Sequence, residues 1–308
     1  MKEFNLCITF DTDADPIAQN HKNSITFKNL DFTLNKISNQ ISLIEKKLNL
    51  KIPLSWFVRI DNQIKQIFGD YDWILQKYSK FWDEQLAKKN EIHWHAHIYQ
   101  MINNQWSFPN NDEVFISYIE EIFNSIKKND HNFKCIRIGE AYMNNNIMNA
   151  LKKIGLKADS SSIPGRRRDD KEKKFDWSNS PNKPYFPSKN DYQTSSEVND
   201  DFVEIPMNTI STKCSYDKSH LLRYANLAFK NEVVKDGLRD YIKSNDLLVT
   251  VSHPYEFFNN FNNNTELMQN DLSSLEININ SILEICKELD KKVNFISINK
   301  IIRKFINE

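Results

Sequence analysis

Eight short apolar stretches recur along the chain, and most are rich in β-branched and aromatic residues. They cover residues 4–10, 54–60, 91–98, 133–140, 157–161, 202–208, 247–253 and 293–297. Apolar runs of this length, bounded by polar residues, are typical of buried β-strands. The pattern therefore predicts strands spread over almost the whole sequence.

Six longer stretches between these runs place apolar residues at helical spacing. They cover residues 30–49, 71–90, 112–129, 144–155, 218–244 and 271–291. In the first, Leu34, Ile37, Ile41, Ile44 and Leu48 recur every three or four residues and mark one buried helix face. The chain is therefore expected to alternate strands with helices.

Strands that alternate with helices indicate a parallel sheet, because parallel neighbours need a crossover connection. Seven or eight such units favour an irregular (β/α) barrel over an open sheet, although periodicity alone does not decide closure. We predict an α/β fold with a single barrel domain over residues 1–308.

Residues 163–202 interrupt this alternation and contain no convincing strand or helix. The segment holds four prolines, a basic triplet at 166–168, and aromatic residues that include Trp177 and Tyr185. Long loops inside compact domains are often functional, and disordered segments contain few aromatic residues. We expect an inserted, ordered lid, with the basic triplet as a solvated face.

Composition narrows the class of protein. Hydrophobic residues make up 40% of the 308 positions and charged residues 27%, which excludes wholesale disorder. Lys and Arg equal Asp and Glu at 41 each, so no nucleic-acid partner is expected. No signal peptide or membrane-spanning run is evident, and the four cysteines form no CxxC pair. A cytoplasmic location is the expectation, while the oligomeric state stays open.

Polar clusters follow several predicted strands at the same end. They are Asp11–Asp15, His93–His97, Arg137–Glu140, Asp159–Ser162 and Ser252–Glu256. In parallel α/β folds, ligands bind beyond the carboxyl ends of the strands. The coincidence predicts a functional site at that edge of the sheet.

The second cluster suggests a metal site. Residues two apart on a strand share a face, so His95 and His97 can present two imidazoles to one ion, with Asp13 as a carboxylate ligand. Two nitrogens, one oxygen and an open position are typical of catalytic zinc. His93 remains the less favoured substitute, and a histidine cluster satisfied by its neighbours is the alternative.

Three further residues suit acid–base chemistry beside such an ion. Asp11 can serve as a general base, although an aspartate after a strand is also a common cap or turn residue. Arg137 sits within an apolar strand and needs a carboxylate partner, for which Asp11 is the obvious choice. His253 ends a strand and is as readily a packed core residue as a catalyst.

The order of these clusters resembles the polysaccharide deacetylase family, the NodB-homology carbohydrate esterases, whose fold is an irregular (β/α) barrel. Thr9–Asp13 is similar to the first family motif, and Glu91–His97 replaces the usual HxxxH spacing of the second with HxH. Arg137 begins the third motif, Asp159–Ser161 loosely matches the fourth, and His253 matches the fifth.

The resemblance implies roles for these residues. It makes Asp11 the base, Asp13, His95 and His97 the ligands of a divalent ion, with zinc favoured, and His253 the acid that protonates the departing amine. It also implies that Arg137 supports Asp11 and that a carboxylate such as Asp159 orients His253. The substrate-contacting residues are expected to include Gly139, Glu140 and Tyr255. Independently of the resemblance, Trp177 and Tyr185 of the inserted segment offer flat apolar faces of the kind that stack on sugar rings, so we expect them to contact the substrate as well.

The implied activity is hydrolysis of an acetyl group, mostly N-linked and in some cases O-linked, from a sugar. Residues 137–165, 175–177 and 184–188 are similar to a subgroup of lipopolysaccharide and surface-glycan biosynthesis. The sugar carrier could be a nucleotide, a lipid or a polymer. Two alternatives are a metallohydrolase of the amidohydrolase or PHP type, disfavoured by the carboxylates on strand 1, and an inactive glycan-binding barrel.

Overall fold

The computed structural model describes residues 2–16, 25–109, 111–169, 174–258 and 266–306. Eight parallel strands form its central sheet. They are β1 (Lys2–Thr12), β2 (Leu54–Arg59), β3 (Glu91–Ala96), β4 (Cys135–Ile138), β5 (Ala158–Asp159), β6 (Val203–Glu204), β7 (Leu247–Ser252) and β8 (Lys291–Phe295). Each lies within or overlaps a stretch that the apolar pattern predicts as a strand.

The spatial order of the sheet is β6-β5-β4-β3-β2-β1-β7, and β8 pairs with the first half of β1. On the same side of β1, Ile8–Thr12 pairs with β2, while Asn5–Phe10 pairs with β7 on the other side. The first strand is therefore the centre of the sheet. This curled, mostly parallel α/β sheet confirms the predicted fold class.

Nine helices are described around the sheet. They are α1 (Lys28–Leu48), α2 (Asn62–Phe68), α3 (Trp73–Lys77), α4 (Ser79–Ala87), α5 (Asp112–Lys128), α6 (Asn145–Lys153), α7 (Asn231–Ser244), α8 (Ser273–Glu288) and α9 (Ile298–Ile306). None of these helices has the length and hydropathy to cross a bilayer. The sequence pattern did not predict α2 or α9.

Two apolar clusters stabilise the curl. Phe10 and Trp56 point outwards towards the helices and stack with ring centroids 4.8 Å apart. Cys7, Phe57 and Cys135 come from three different strands and form an inner cluster with α9. Successive side chains along each strand point to opposite faces of the sheet, and this divides the core into an outer layer and a concave interior.

The strands β6 and β7 lie at the two ends of the sheet order and do not pair, and irregular chain fills the gap between them. Asn208 accepts a hydrogen bond from the Val249 amide at 2.6 Å, and the carbonyl of Ala225 accepts one from the Val251 amide at 2.8 Å. The edge of β7 is therefore satisfied by a side chain and a loop carbonyl. This is the irregular part of the barrel.

The predicted helix at 218–244 is wrong in its first half. Thr209–Thr212 and Leu221–Tyr224 form an antiparallel hairpin, and α7 begins only at Asn231. Asn226 explains the difference, because its buried side chain bonds to Glu256, Ser252 and the amide of Ala228. These tertiary hydrogen bonds outweigh the local helical pattern.

The segment 163–202 carries a short hairpin formed by Arg167–Asp169 and Lys174–Asp176. After it, Trp177 is fully buried and donates a hydrogen bond from its indole to the Ala141 carbonyl at 2.8 Å. The Tyr185 hydroxyl donates to the Tyr192 carbonyl at 2.8 Å. The described part of this segment is thus packed against the barrel.

Candidate active site

The carboxyl ends of β1, β3, β4 and β7 meet around one cavity of about 250 Å³. Nine of the residues singled out from the sequence line it: Asp11, Asp13, His95, His97, Arg137, Gly139, Glu140, His253 and Tyr255. Strand ends that are far apart in sequence converge here because all the strands run parallel.

Asp13, His95 and His97 form the centre of the cavity floor. Asp13 Oδ1 lies 3.0 Å from His97 Nε2 and 3.3 Å from His95 Nε2, and the two imidazole nitrogens are 3.0 Å apart. All three residues are buried, and they are the one group of potential metal ligands found among the described residues. His93 lies elsewhere and contacts Glu91 at 3.1 Å.

Hydrogen bonds support the ring of His95 and the backbone of His97. His95 donates from Nδ1 to the carbonyl of Arg137 at 2.8 Å, which leaves Nε2 directed at Asp13. The backbone amide of His97 lies 3.3 Å from an Asp61 carboxylate oxygen, and Asp61 itself pairs with the buried Arg59 at 2.7 Å. Such supporting contacts are usual around metal-binding histidines, since they fix ring orientation and tautomer.

A divalent ion fits this donor set. Asp13 Oδ1 is buried and has no properly oriented hydrogen-bond donor, although both Nε2 atoms lie at ion-pair distance. A buried carboxylate oxygen without a donor is costly unless a cation satisfies it. The three neighbouring histidines outweigh burial and hold the pKa of Asp13 well below its usual value. Two imidazole nitrogens and a carboxylate suit zinc or a similar transition metal.

Gly139 leaves room for the His97 ring. A Cβ at position 139 would lie 2.4 Å from His97 Cδ2, which is far inside van der Waals contact. The next two residues, Glu140 and Ala141, have φ values of +60° and +54°. Left-handed conformations at non-glycine residues cost about 1–3 kcal/mol and are frequent at functional sites. The strand end after β4 is thus shaped around the histidine.

Arg137 pairs with Asp11, as the sequence predicts. Its Nη1 lies 2.5 Å from Asp11 Oδ1 and 3.0 Å from Thr9 Oγ1. Nε and Nη2 donate to the carbonyl and hydroxyl of Ser160, both at 2.9 Å. The guanidinium also lies 3.9 Å above the Phe57 ring. Every face of this buried cation is therefore engaged, which fixes the position of the Asp11 carboxylate.

His253 stands on the other side of Asp13. Its Nε2 is 3.3 Å from Asp13 Oδ2, and its Nδ1 is 3.2 Å from Glu256 Oε1. Burial alone would lower the pKa of His253, but the Glu256 and Asp13 carboxylates outweigh burial and raise it well above its usual value. This setting favours the protonated form of the imidazole. The Tyr255 ring stacks on the imidazole, with centroids 5.4 Å apart.

Three sequence-based assignments need correction. Asp159 does not orient His253: it accepts hydrogen bonds from the Ser161 amide and hydroxyl, and Glu256 is the carboxylate beside the imidazole. Trp177 and Tyr185 do not reach the cavity, because both side chains are buried in the packing of the loop. Their aromatic character reflects a local core rather than a sugar platform.

Sequence reasoning also missed residues that line the site. Arg166, Arg168 and Phe175 line the cavity from the inserted segment. The sequence predicts a solvated face for these arginines, because acidic residues lie beside them in the chain, and the structure corrects this prediction. Glu256 was visible three residues after His253, which is the spacing of one helical turn, and this signal could have identified it.

Comparison with known proteins agrees at the level of the fold. No family model and no curated protein matches the sequence. Among solved structures, a protein of Mycobacterium smegmatis assigned as a polysaccharide deacetylase superposes with a TM-score of 0.54 and 13% identity, over 99% of this chain and 90% of the other. A Parabacteroides distasonis protein assigned as a glycoside hydrolase/deacetylase gives 0.57 and 14%, over 98% and 71%. The chain therefore shares the fold of polysaccharide deacetylases.

Proposed function

We propose that the chain is a divalent-metal-dependent carbohydrate deacetylase that hydrolyses an N-acetyl group of a sugar. The observation that carries this proposal is the convergence of Asp13, His95 and His97 in one cavity that Asp11 and His253 also line. The shared fold with polysaccharide deacetylases supports it. Surface-glycan biosynthesis is the setting that the sequence resemblance favours, and the scattered cysteines without a CxxC pair favour the cytoplasm.

Asp13, His95 and His97 would hold the ion. When bound there, a divalent ion supplies a Lewis acid that polarises an acyl carbonyl and lowers the pKa of water. Asp11, fixed by Arg137, is placed to accept the proton of the attacking water. Its carboxylate and the ligand set lie in the same cavity, so base and electrophile face one substrate group.

His253 is the proton donor in this proposal. The departing amine needs a proton, and the neighbouring Glu256 and Asp13 carboxylates raise the pKa of His253, which favours its protonated form. Glu256 accepts from the His253 amide at 2.7 Å and lies beside Nδ1, so it both positions and charges the ring. In this proposal one cavity therefore holds both the base, Asp11, and the acid, His253.

Cavity size supports a small reacting group. A volume of about 250 Å³ is below the roughly 300–1,000 Å³ of pockets for drug-sized ligands. One acetylated sugar unit is therefore the part of the substrate that the cavity encloses, and any carrier extends outside it.

The test combines metal content with acetate release from acetylated sugars. Asp11→Asn is expected to keep the ion and to lower turnover about 10²–10⁴-fold, the usual contribution of a general base. Asp13→Ala and the double variant His95→Ala/His97→Ala are expected to lose both ion and activity. His131→Ala is the matched control, because His131 pairs with Asp72 at 3.1 Å and does not line the cavity.

Two outcomes would contradict the proposal. Full metal content in the double histidine variant would place the ion elsewhere. Stoichiometric metal with binding of glycans but no acetate release would identify an inactive glycan-binding barrel instead.

A further inference from the structure

The cavity has a basic wall that the proposed chemistry does not use. Arg166 and Arg168 are two residues apart, and both side chains line the cavity that holds Asp13. Arg166 and Tyr224 also line a second cavity of about 520 Å³, which contains Arg223 and the exposed leucines Leu221 and Leu222. Arg166 therefore stands at the junction between the candidate metal centre and an outer groove.

Arg166 is the least compensated of these cations. Arg223 pairs with Asp217 at 2.8 Å, whereas the described residues include no carboxylate within ion-pair distance of the Arg166 guanidinium. Partial burial lowers the pKa of Arg166, and the neighbouring Arg223 and Arg168 lower it further. Half-burying a cation among like charges is unfavourable unless an anion joins them.

The backbone of Arg166 is held in place. Its amide donates to the Ile163 carbonyl at 3.1 Å, and its carbonyl accepts from the Trp177 amide at 2.8 Å. Gly165 precedes it with a φ of +75°, and a Cβ there would lie 2.6 Å from Leu222 Cδ1. The guanidinium thus extends from a backbone that is hydrogen-bonded on both sides of its Cα.

We propose that Arg166, together with Arg168 and Arg223, binds a phosphate group attached to the acetylated sugar. Guanidinium groups recognise phosphate oxygens through paired, charge-assisted hydrogen bonds. Because Arg166 borders the metal cavity, the phosphate lies next to the sugar unit and the carrier continues into the outer groove. This inference rests on the proposed deacetylase function and narrows its substrate class to phosphate-linked sugars.

Among the three possible carriers, this arrangement selects against a neutral polymer. Nucleotide-linked and lipid-linked sugars share the phosphate, and the groove beyond Arg166 offers apolar side chains to either carrier. The experiment must therefore separate these two sources of the same chemistry.

A binding measurement tests the phosphate site without using catalysis. Isothermal titration of the intact protein with glucose 1-phosphate, compared with glucose, is expected to show at least about tenfold tighter binding of the phosphate ester. Arg166→Gln should abolish this preference. Arg239→Gln, which removes an arginine that pairs with Glu288 and lines neither cavity, should retain it. UDP-glucose and geranyl diphosphate, as competitors, then report which carrier the groove prefers.

A kinetic measurement links the site to turnover. Acetate release is followed with N-acetylglucosamine 1-phosphate, UDP-N-acetylglucosamine and neutral N-acetylglucosamine oligomers. Arg166→Gln is expected to raise KM for the phosphorylated substrates about 10- to 100-fold. This fold-increase should be at least about ten times the fold-increase for the neutral oligomers. Arg166→Lys should restore part of the loss, because it keeps the charge without the paired geometry.

The outcomes separate the two proposals. Equal binding of glucose and glucose 1-phosphate, or unchanged phosphate affinity in a folded Arg166→Gln variant, would overturn the phosphate site. Acetate release from neutral oligomers alone would also overturn it while leaving the deacetylase intact. Phosphate binding that depends on Arg166, with no acetate released from any substrate, would keep the site and refute the proposed function. If Arg166→Gln does not fold, the wild-type comparison and Arg166→Lys decide.

Discussion

Replacing Gly139 by alanine is expected to weaken metal binding at the candidate site, although no proposed ligand is itself substituted. The new Cβ would lie 2.4 Å from His97 Cδ2 and 2.5 Å from His97 Nε2, against about 3.4 Å for ordinary contact. The ring or the strand end must therefore move by about 1 Å. His97 is only 7% exposed, and its ring packs at right angles to His95 with centroids 4.7 Å apart. Little room is left for the ring to move while its Nε2 stays 3.0 Å from Asp13 Oδ1.

The magnitude follows from this displacement. Disturbing the groups that orient a metal ligand typically costs 10- to 100-fold in metal affinity or activity. A misplacement of about 1 Å at a reacting centre can cost about 10²-fold in rate. We expect Gly139→Ala to bind zinc about 10- to 100-fold more weakly and to lose activity in proportion, measured by competition with a chromophoric chelator and by acetate release.

Gly155→Ala is the matched control. Nothing lies within 4 Å of a Cβ at position 155, but its φ of +94° strains any side chain. This variant should therefore lose stability, by more than about 0.4–1 kcal/mol, and retain wild-type zinc affinity. Wild-type zinc affinity in Gly139→Ala would refute the reasoning, since it would mean that the strand end relaxes without disturbing His97.

Three further results are expected. Because the Trp177 ring is buried, Trp177→Ala should lose about 3–5 kcal/mol of stability in thermal or urea melts, while kcat/KM of the folded fraction should change little. A marked fall in kcat/KM at unchanged stability would instead support the hypothesis that this segment is a lid. Burial and the neighbouring Asp159 raise the pKa of Glu204, so the folded chain keeps a proton on this carboxyl that the unfolded chain releases. The free energy of unfolding of the wild type should therefore fall as the pH rises above the pKa that Glu204 has in the unfolded chain. Glu204→Gln should flatten that slope between pH 5 and 8, and an unchanged slope would show that Glu204 is not its source. Glu256→Gln removes the carboxylate that does most to raise the pKa of His253, so the fall of activity on the alkaline side of the pH profile should move to lower pH. If that fall stays at the same pH, it belongs to another group.

The sequence was sufficient to predict the strands of the central sheet and the edge where the candidate site lies. A buried strand can be recognised from its own residues alone, because it must be apolar whichever strands lie beside it in the sheet. Parallel order then brings every strand's carboxyl end to one edge, so Asp13, His95, Arg137 and His253 could be grouped without knowing a single distance. The Arg137–Asp11 pair followed from the cost of burying an unpaired guanidinium.

What the sequence could not decide was the direction of loop side chains. Trp177 in an irregular segment looks the same whether it faces a sugar or the barrel, and the indole hydrogen bond to Ala141 exists only in the folded chain. The same holds for Arg166, whose charge is visible in sequence but whose position between two cavities is not. Asn226 replaces a predicted helical turn by hydrogen bonds to residues about 25–30 positions away, which no local pattern encodes.

The position of β1 at the centre of the sheet has a consequence for how the chain acquires its activity. Thr9 meets Thr250 across a separation of 241 residues, and β8 pairs with β1 from still further along the chain. At a synthesis rate of about 5–20 residues per second, β1 waits roughly 12–50 s for its partner β7. Non-local pairing of this kind slows folding and leaves an apolar strand available for wrong contacts. Asp13 likewise meets His253 only after that interval, so the complete candidate site is assembled among the last events of folding, after most of the polypeptide has been made.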